Sequence, residues 1–461
     1  MGWRAAGTLV IVAWGVLAFG AVYPWAYGPL FVACAAFGLI GLVGRPHGDV
    51  AAWPFAAALG IVALVAVVQI VPLPVDTLRW LTPETERVLR NYDVAFAVAR
   101  PTPPHAVSLD PRATRLGLVA LVCLALFLFG LSRSLRRRDV RHVVAGIIVL
   151  GVGLALFGLI QKALWNGKLY WFWTPQEQGE SFGPFVNRNH FAGWMLMALP
   201  LAIGYFCGRV AKGVERIKPG WHNRLMWLAS PDATNTMLVG FAIVVMATSL
   251  VLTFSRSGIL GLMAAAIVIA FVVIRRQSTG VRRTVAAAYV FSIVLVALAW
   301  AGLDLVVSRF AVNAANDMDR RVGAWNDAWH IFRRFPLAGT GLNTYGVATL
   351  FYQTINLTHH YDQAHNDYLQ LAAEGGALLL LPAAAALVTF CAAVRKRFAA
   401  ASAASTDYWI RVGAVAGLVA IALQELGEFS LQMPGNAVMF CLLAAIVLRA
   451  PDSASRAVTL R

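Results

Sequence analysis

Apolar runs of roughly 17 to 22 residues recur along the whole chain, parted by polar stretches of very unequal length. A helical run of that length crosses a ~30 Å hydrocarbon core, and helix satisfies every backbone polar group without water. Twelve spans are predicted, at 5–23, 27–43, 52–72, 115–132, 143–162, 190–208, 236–253, 258–274, 284–302, 374–394, 411–424 and 434–450. The first opens directly after Met1-Gly2-Trp3-Arg4 with no convincing small-residue cleavage site behind it, so it reads as a span and not a removed signal. An even number of crossings puts both termini on one side.

The polar stretches give the pattern a direction. With both termini cytoplasmic, the short internal loops carry Arg133, Arg136, Arg137, Arg138 and Arg141, then Arg209, Lys212, Arg216, Lys218 and Arg224. Arg275, Arg276, Arg282 and Arg283 fall on the same side, as do Arg395, Lys396 and Arg397. That is the bias the positive-inside rule counts. Three external segments are then long. Residues 73–114 are rich in proline (Pro74, Pro83, Pro101, Pro103, Pro104, Pro111) and read as an irregular, lid-like loop. Residues 163–189 contain Tyr170-Trp171-Phe172-Trp173, which suits an interfacial aromatic belt. Residues 303–373 form the largest insert, with helical periodicity around Trp325, Trp329 and Phe332, a glycine-rich turn at Gly339 and Gly341, and a second helical start near Asp362. No repeat of fixed period is visible.

Composition agrees with a multi-span protein: 59% of the 461 residues are apolar and 13% charged, against about a quarter charged in a soluble domain. Mean hydropathy is +0.68. The net charge of +16 would suit nucleic acid only if gathered on one surface, and it is spread among the loops. All five cysteines (Cys34, Cys123, Cys207, Cys391, Cys441) lie inside apolar runs, where they act as small hydrophobes with no external disulfide framework.

Transporters usually hold ionisable groups at mid-depth, because such groups are costly there and are kept for a purpose. Spans 1 to 10 have no Asp, Glu, Lys or Arg in their middle, and Glu425 and Glu428 sit near the outer end of span 11. Polar chemistry gathers instead at the outer rim in four patches: Asn187-Arg188-Asn189-His190, Ser255-Arg256-Ser257-Gly258, Arg320-Arg321 through Trp325, and His365-Asn366-Asp367-Tyr368 running on to Glu374-Gly375-Gly376. Any one arginine at a rim can simply anchor phospholipid. Arg256 differs, since its hairpin is pinned by two helix ends and flanked by serines. A guanidinium stays charged and matches two phosphate oxygens, which suits a diphosphate; Arg321 is the candidate second arm and Arg188 a third. His365, three residues after a candidate N-cap at Asp362, reads as lying in the first turn of a helix, where the positive end favours the neutral imidazole. A neutral imidazole can accept a proton from a hydroxyl. The alternative is a histidine that only pins the loop. Asn187, His190, Ser255, Trp325, Asn366, Tyr368 and Glu374 are supporting candidates.

By residue type, His359, His360, Asp362, His365 and Asp367, and the Asp317-Met318-Asp319 pair, are the candidates for holding a metal. Arg320 and Arg321 follow that acidic pair and would repel a cation, and the histidine spacings fit no zinc pattern; neither a metal nor a cofactor is expected. Gly339-Thr340-Gly341 lacks a following lysine and reads as a turn, not a phosphate loop.

The order of these features resembles the O-antigen ligase and polymerase superfamily. The matching elements are Asn187-Arg188-Asn189-His190, Ser255-Arg256-Ser257-Gly258, Arg321 with Trp325, Pro336-Leu337 with Gly339 and Gly341, and His365-Asn366 followed by Gly376. They span roughly residues 150–445. The resemblance implies an all-α, glycosyltransferase-C-like membrane fold in a bacterial inner membrane, with a large periplasmic loop region carrying the active site. It divides the chain into N-terminal helices (1–150), a catalytic membrane domain (151–450) and a cytoplasmic tail (451–461). It also implies metal-independent, inverting transfer of a glycan from an undecaprenyl-diphosphate carrier to a glycan, lipid or protein hydroxyl. Arg256 and Arg321 match the arginines that hold the diphosphate, and His365 matches the histidine that activates the acceptor. Ligases tend to have Gly, Thr or Tyr where this chain has Leu379, which leaves ligase and polymerase both open. A transporter of a small anion or glycan and a non-catalytic scaffold are the readings of other classes.

Overall fold

Because the apolar runs lack internal breakers of the helical ladder at most positions, they fold as long helices, and polar or proline residues set their ends. The structure is a computed structural model. It describes residues 1–43, 52–175, 180–216, 230–276, 312–355, 357, 360–399 and 405–450, with backbone alone at 214–216 and 312–320. The helices are α1 (Trp3–Leu17), α2 (Pro24–Val43), α3 (Trp53–Ile70), α4 (Val75–Leu81), α5 (Pro83–Tyr92), α6 (Val94–Val98), α7 (Pro111–Ser134) and α8 (Arg137–Ala163). They continue with α9 (Arg188–Arg216), α10 (Pro231–Leu252), α11 (Arg256–Arg276), α12 (Val312–Arg334), α13 (Tyr345–Tyr352), α14 (Asp367–Ala399), α15 (Thr406–Gln424) and α16 (Pro434–Leu448).

Among the described residues, nine helices are long and apolar enough to cross a membrane, and α1 and α16 are shorter apolar helices. Each matches a predicted span. The remaining prediction, 284–302, lies outside the described residues, as do the tail 451–461 and the side chains of Asp317 and Asp319. The first span is shorter than expected: the chain leaves α1 at Leu17, and Phe19, Gly20 and Ala21 all adopt positive φ. Gly20 is needed there, since a Cβ would sit 2.9 Å from the Phe185 ring.

At the centre, α9 and α15 are the most enclosed of the candidate spans. Small residues let them touch: a Cβ on Gly204 would lie 2.3 Å from the Trp409 carbonyl. The two run antiparallel, with Gly208 against Thr406 at one end and Gln424 bonded to the Asn189 carbonyl at the other, and these two ends are chemically distinct. At one, Asp407 gathers Arg137 (2.7 Å), Arg141 (3.2 Å) and Arg449 (3.3 Å), while Arg397 donates to the Leu448 carbonyl. The rim residues all lie at the other.

Residues 73–114 are not the irregular loop expected, because α4, α5 and α6 form within them. Their prolines work as helix starters: Pro74 precedes α4, and Pro83 and Pro111 begin α5 and α7, where a missing N–H costs nothing. Tertiary bonds hold this cap to the 335–354 segment, Leu109 N to the Thr340 carbonyl at 2.8 Å and the Tyr352 hydroxyl to Glu84 Oε1 at 2.9 Å. Inside the cap, the Arg79 and Arg90 guanidinia hold the Glu86 carboxyl below the usual carboxylate range. The aromatic segment packs inward more than expected for a belt. Tyr170 donates to the Leu17 carbonyl and Trp173 to the Tyr23 hydroxyl, although Phe172 stays exposed.

The helix that carries His365 at its approach is broken. Gly376 has φ 55° and ψ −165°, so α14 divides into a rim segment and a spanning segment. Residues 336–345 zip along this break: Ala377 and Leu378 N–H groups donate to the Pro336 and Leu337 carbonyls, and Thr340 and Gly341 donate to the Ala373 and Glu374 carbonyls. Gln69, from α3, closes the joint with Nε2 on the Ala338 and Glu374 carbonyls (2.8 and 2.9 Å) and Oε1 accepting from Leu342 N (3.0 Å). Gly339 (φ 70°) allows the contact, for a Cβ there would lie 2.2 Å from the Glu374 carbonyl oxygen. The glycine-rich segment is therefore a structural joint beneath the rim.

Candidate active site

Four segments distant in sequence meet at one buried carboxylate, Glu428, just past the end of α15. Its Oε1 pairs with Arg321 Nη2 at 2.7 Å, accepts from Asn189 Nδ2 at 2.7 Å and lies 3.5 Å from Ser257 Oγ. Arg321 Nη1 also donates to the Gly427 carbonyl at 3.0 Å. Two contacts thus orient the guanidinium, while a guanidinium carries five N–H donors and so keeps capacity for an anion. Asn189 is itself placed by its backbone, since its carbonyl accepts from Gln424 Nε2 at 3.0 Å. Asn187 caps α9, with Oδ1 accepting from Asn189 N at 2.8 Å.

His365 stands beside this cluster. Trp325 Nε1 donates to the His365 carbonyl at 3.1 Å, and Trp325 is one helical turn beyond Arg321 on α12. The Arg321 and Trp325 pairing seen in the sequence is therefore one helix face holding both the Glu428 cluster and the histidine. The His365 ring meets the Phe429 ring edge-on at 4.8 Å, and His190 meets Phe429 at 4.7 Å. Both imidazoles thus pack against the same phenyl ring. His190 is buried, and its carbonyl accepts from Asn436.

The expectation that Asp362 caps the helix and that His365 lies in its first turn is corrected. The cap is Asn366, whose Oδ1 accepts from Tyr368 N (3.1 Å) and Leu369 N (3.0 Å), while its Nδ2 reaches the Leu426 carbonyl (3.0 Å). His365 precedes the cap at φ 51°, a conformation unusual for a residue with a side chain. It therefore lies one residue before the cap, outside the helix.

Other candidates take different places. Ser255 caps α11, its Oγ accepting from Gly258 N at 3.2 Å, and Arg256 is the exposed first residue of that helix, next to Ser257. Arg188 turns away from Glu428 and pairs with Glu180. It lines a cavity of about 320 Å³ with Lys162, whose Nζ lies 4.4 Å from the Phe254 ring and donates to the Leu252 carbonyl. Tyr368 donates its hydroxyl to the Ala422 carbonyl at 2.7 Å. Glu374 is buried behind the rim, where it accepts from Asn343 N, Tyr345 N and Gln370 Nε2, so it braces the joint and does not face the opening. Leu379 is also buried, packed over Gly375.

Sequence reasoning noticed Glu428 and Glu425 without assigning them, placed Asp367 and Gln370 in a rim patch without this role, and missed Gln432 and Phe429. Gln432 donates to Asp367 at 2.6 Å and Gln370 to Gln432, Gln363 and Glu374, giving a polar chain behind His365. Burial and the neighbouring Asp367 push the Glu425 carboxyl well above the usual range. The available signal was two carboxylates closing an otherwise apolar run.

The fold and this rim define a polytopic, all-α membrane protein with an arginine- and histidine-bearing site at the bundle end opposite its arginine-rich end. Within that class, residues 241–384 match the family model described as O-Antigen ligase. The match covers about a third of the chain and supports the resemblance to the O-antigen ligase and polymerase superfamily. The matched segment includes Arg256, Arg321, Trp325, His365 and Asn366; Asn189 and Glu428 lie outside it, although both contact the cluster. Comparison with curated proteins gives no match.

Proposed function

We propose that this protein transfers a glycan from an undecaprenyl-diphosphate carrier to an acceptor hydroxyl at the periplasmic rim of a bacterial inner membrane. The observation that carries the reading is the convergence of Arg321, Ser257 and Asn189 on Glu428, with His365 held from the same helix face as Arg321. Arg321 and Arg256 bind the diphosphate. His365 takes the proton of the acceptor hydroxyl as its oxygen forms a bond to the anomeric carbon. The bond from that carbon to the phosphate oxygen breaks, and the electron pair leaves on the diphosphate. Oriented guanidinia stabilise charge that grows there without reorganising during the step. Attack opposite the leaving diphosphate inverts the anomeric centre. The residues named supply both the electrostatic and the proton-transfer roles, so the proposed step draws on no metal or cofactor.

The reading is tested with purified protein, an undecaprenyl-diphosphate-linked glycan and acceptor. Arg321→Ala and His365→Ala should each abolish transfer, and full activity in both would reject the mechanism. A deletion strain separates the two family activities: long polymer left on its carrier indicates a ligase, and single repeat units indicate a polymerase. Solute flux in proteoliposomes that survives Arg256→Ala, without glycan transfer, would favour a transporter.

A further inference from the structure

A second cavity, of about 300 Å³, lies where the cap formed by α4 to α6 meets α12 and α13. It is remote from the Glu428 cluster. His330 and Arg334, which line it, follow Arg321 on α12 by nine and 13 residues, roughly 14 to 20 Å along the helix at its usual rise. Its floor is aromatic: the Tyr92 and Phe351 rings lie 4.8 Å apart at 46°, and Tyr92 is 65% exposed. Around this floor stand Arg87, Asn91, His330 and Arg334. Glu84 ties the walls together, accepting from the Tyr352 hydroxyl at 2.9 Å and pairing with Arg87 at 3.3 Å and Arg334 at 3.8 Å. Two guanidinia against one carboxylate leave the walls only weakly cationic, too little for a phosphorylated headgroup to be the natural occupant. Apolar rings flanked by planar donors and acceptors suit a ligand with an apolar face and a hydroxyl-bearing edge.

We infer that this cavity binds a sugar residue of the glycan chain at a distance from the reacting anomeric carbon. The inference rests on the proposed glycan-transfer reading and adds a subsite that would hold the chain while its end reacts. One ring of α5 and one of α13 form the floor, so the subsite exists only when the cap is docked on the α12 to α13 segment.

The probe is the oligosaccharide released by mild acid from the lipid-linked pool of the source cell, which carries no diphosphate. Its binding to the purified full chain is measured by saturation-transfer NMR titration. Tyr92→Ala removes an exposed ring and should weaken binding at least fivefold, whereas Tyr92→Phe should bind within twofold of the parent. Arg321→Ala should bind the released glycan as the parent does. Equal binding by Tyr92→Ala, or no binding by the parent, overturns the subsite. The two readings fail separately. Transfer that depends on Arg321 with binding indifferent to Tyr92 refutes the subsite alone. Binding that depends on Tyr92 with transfer indifferent to Arg321 supports the subsite and refutes the proposed mechanism.

Discussion

Replacing Glu428 by Gln keeps the shape that meets Asn189 and removes the charge that meets Arg321. The carboxylate is 1% exposed and the guanidinium 22%, so their 2.7 Å contact is shielded on one side and wet on the other. A hydrogen bond to a charged group contributes roughly 1.5–3 kcal/mol. Partial hydration of Arg321 places this pair near the lower end, roughly 1.5–2 kcal/mol. At about 1.4 kcal/mol per tenfold, loss of that orientation lowers kcat/KM by roughly 10- to 30-fold. If Glu428 acts through Arg321, the Arg321→Gln and Glu428→Gln pair is coupled, and the double variant is no slower than Arg321→Gln alone. The assay is initial-rate transfer from an undecaprenyl-diphosphate-linked glycan in proteoliposomes, with size-exclusion profiles confirming that each variant is folded. Additive losses, agreeing within about 0.5 kcal/mol, would refute the positioning role. So would a fully active Glu428→Gln.

Asn366→Ala removes the cap of α14 and should lower stability by about 1 kcal/mol, visible as a reduced Tm. Asn366→Asp retains the acceptor and should recover most of that loss while remaining less active, because the contact to the Leu426 carbonyl is gone. Gly339→Ala forces a Cβ to within 2.2 Å of the Glu374 carbonyl oxygen and should cost at least about 2 kcal/mol, read as loss of the monodisperse folded peak. In the cap, Glu86 is held below its ordinary range by Arg79 and Arg90, so its stabilisation is present above that ordinary range and is lost as pH falls through the lowered value. The Tm difference between the parent and Glu86→Gln should therefore be present at pH 7 and shrink as the pH is taken below the ordinary carboxylate range. A difference that grows on acidification would reverse the assignment.

How far the sequence reveals this molecule depends on the range of the interactions involved. The long helices announce themselves by length and apolarity, which are local properties. The helices of 73–114 do not, because α4 and α6 have only seven and five residues and are kept by distant packing, Leu78 and Phe96 clustering with Ala338. Asp362 and Asn366 are both chemically able to cap a helix, and the choice is made by the Leu426 carbonyl, which no local pattern reports. Arg321, Trp325 and His365 were recognisable as chemistry, but their relation was not. It appears only when α12 presents the first two on one face and the third docks on it. Glu428 was visible as a charge near an apolar run and acquires meaning from Asn189, Ser257 and Arg321, all far away in the chain. Arg188 shows the opposite case: adjacent to Asn189 in sequence, it turns into a different cavity.

The most direct measurement is a cryo-EM map of the inactive His365→Ala protein in lipid nanodiscs with an undecaprenyl-diphosphate-linked glycan bound. The account predicts diphosphate density within hydrogen-bond reach of Arg321 and on the Arg256 side of the Glu428 cluster, with the anomeric carbon facing the position of the missing imidazole. Diphosphate density confined to the Lys162 and Arg188 cavity, or at the arginine-rich end of the bundle around Asp407, would contradict it.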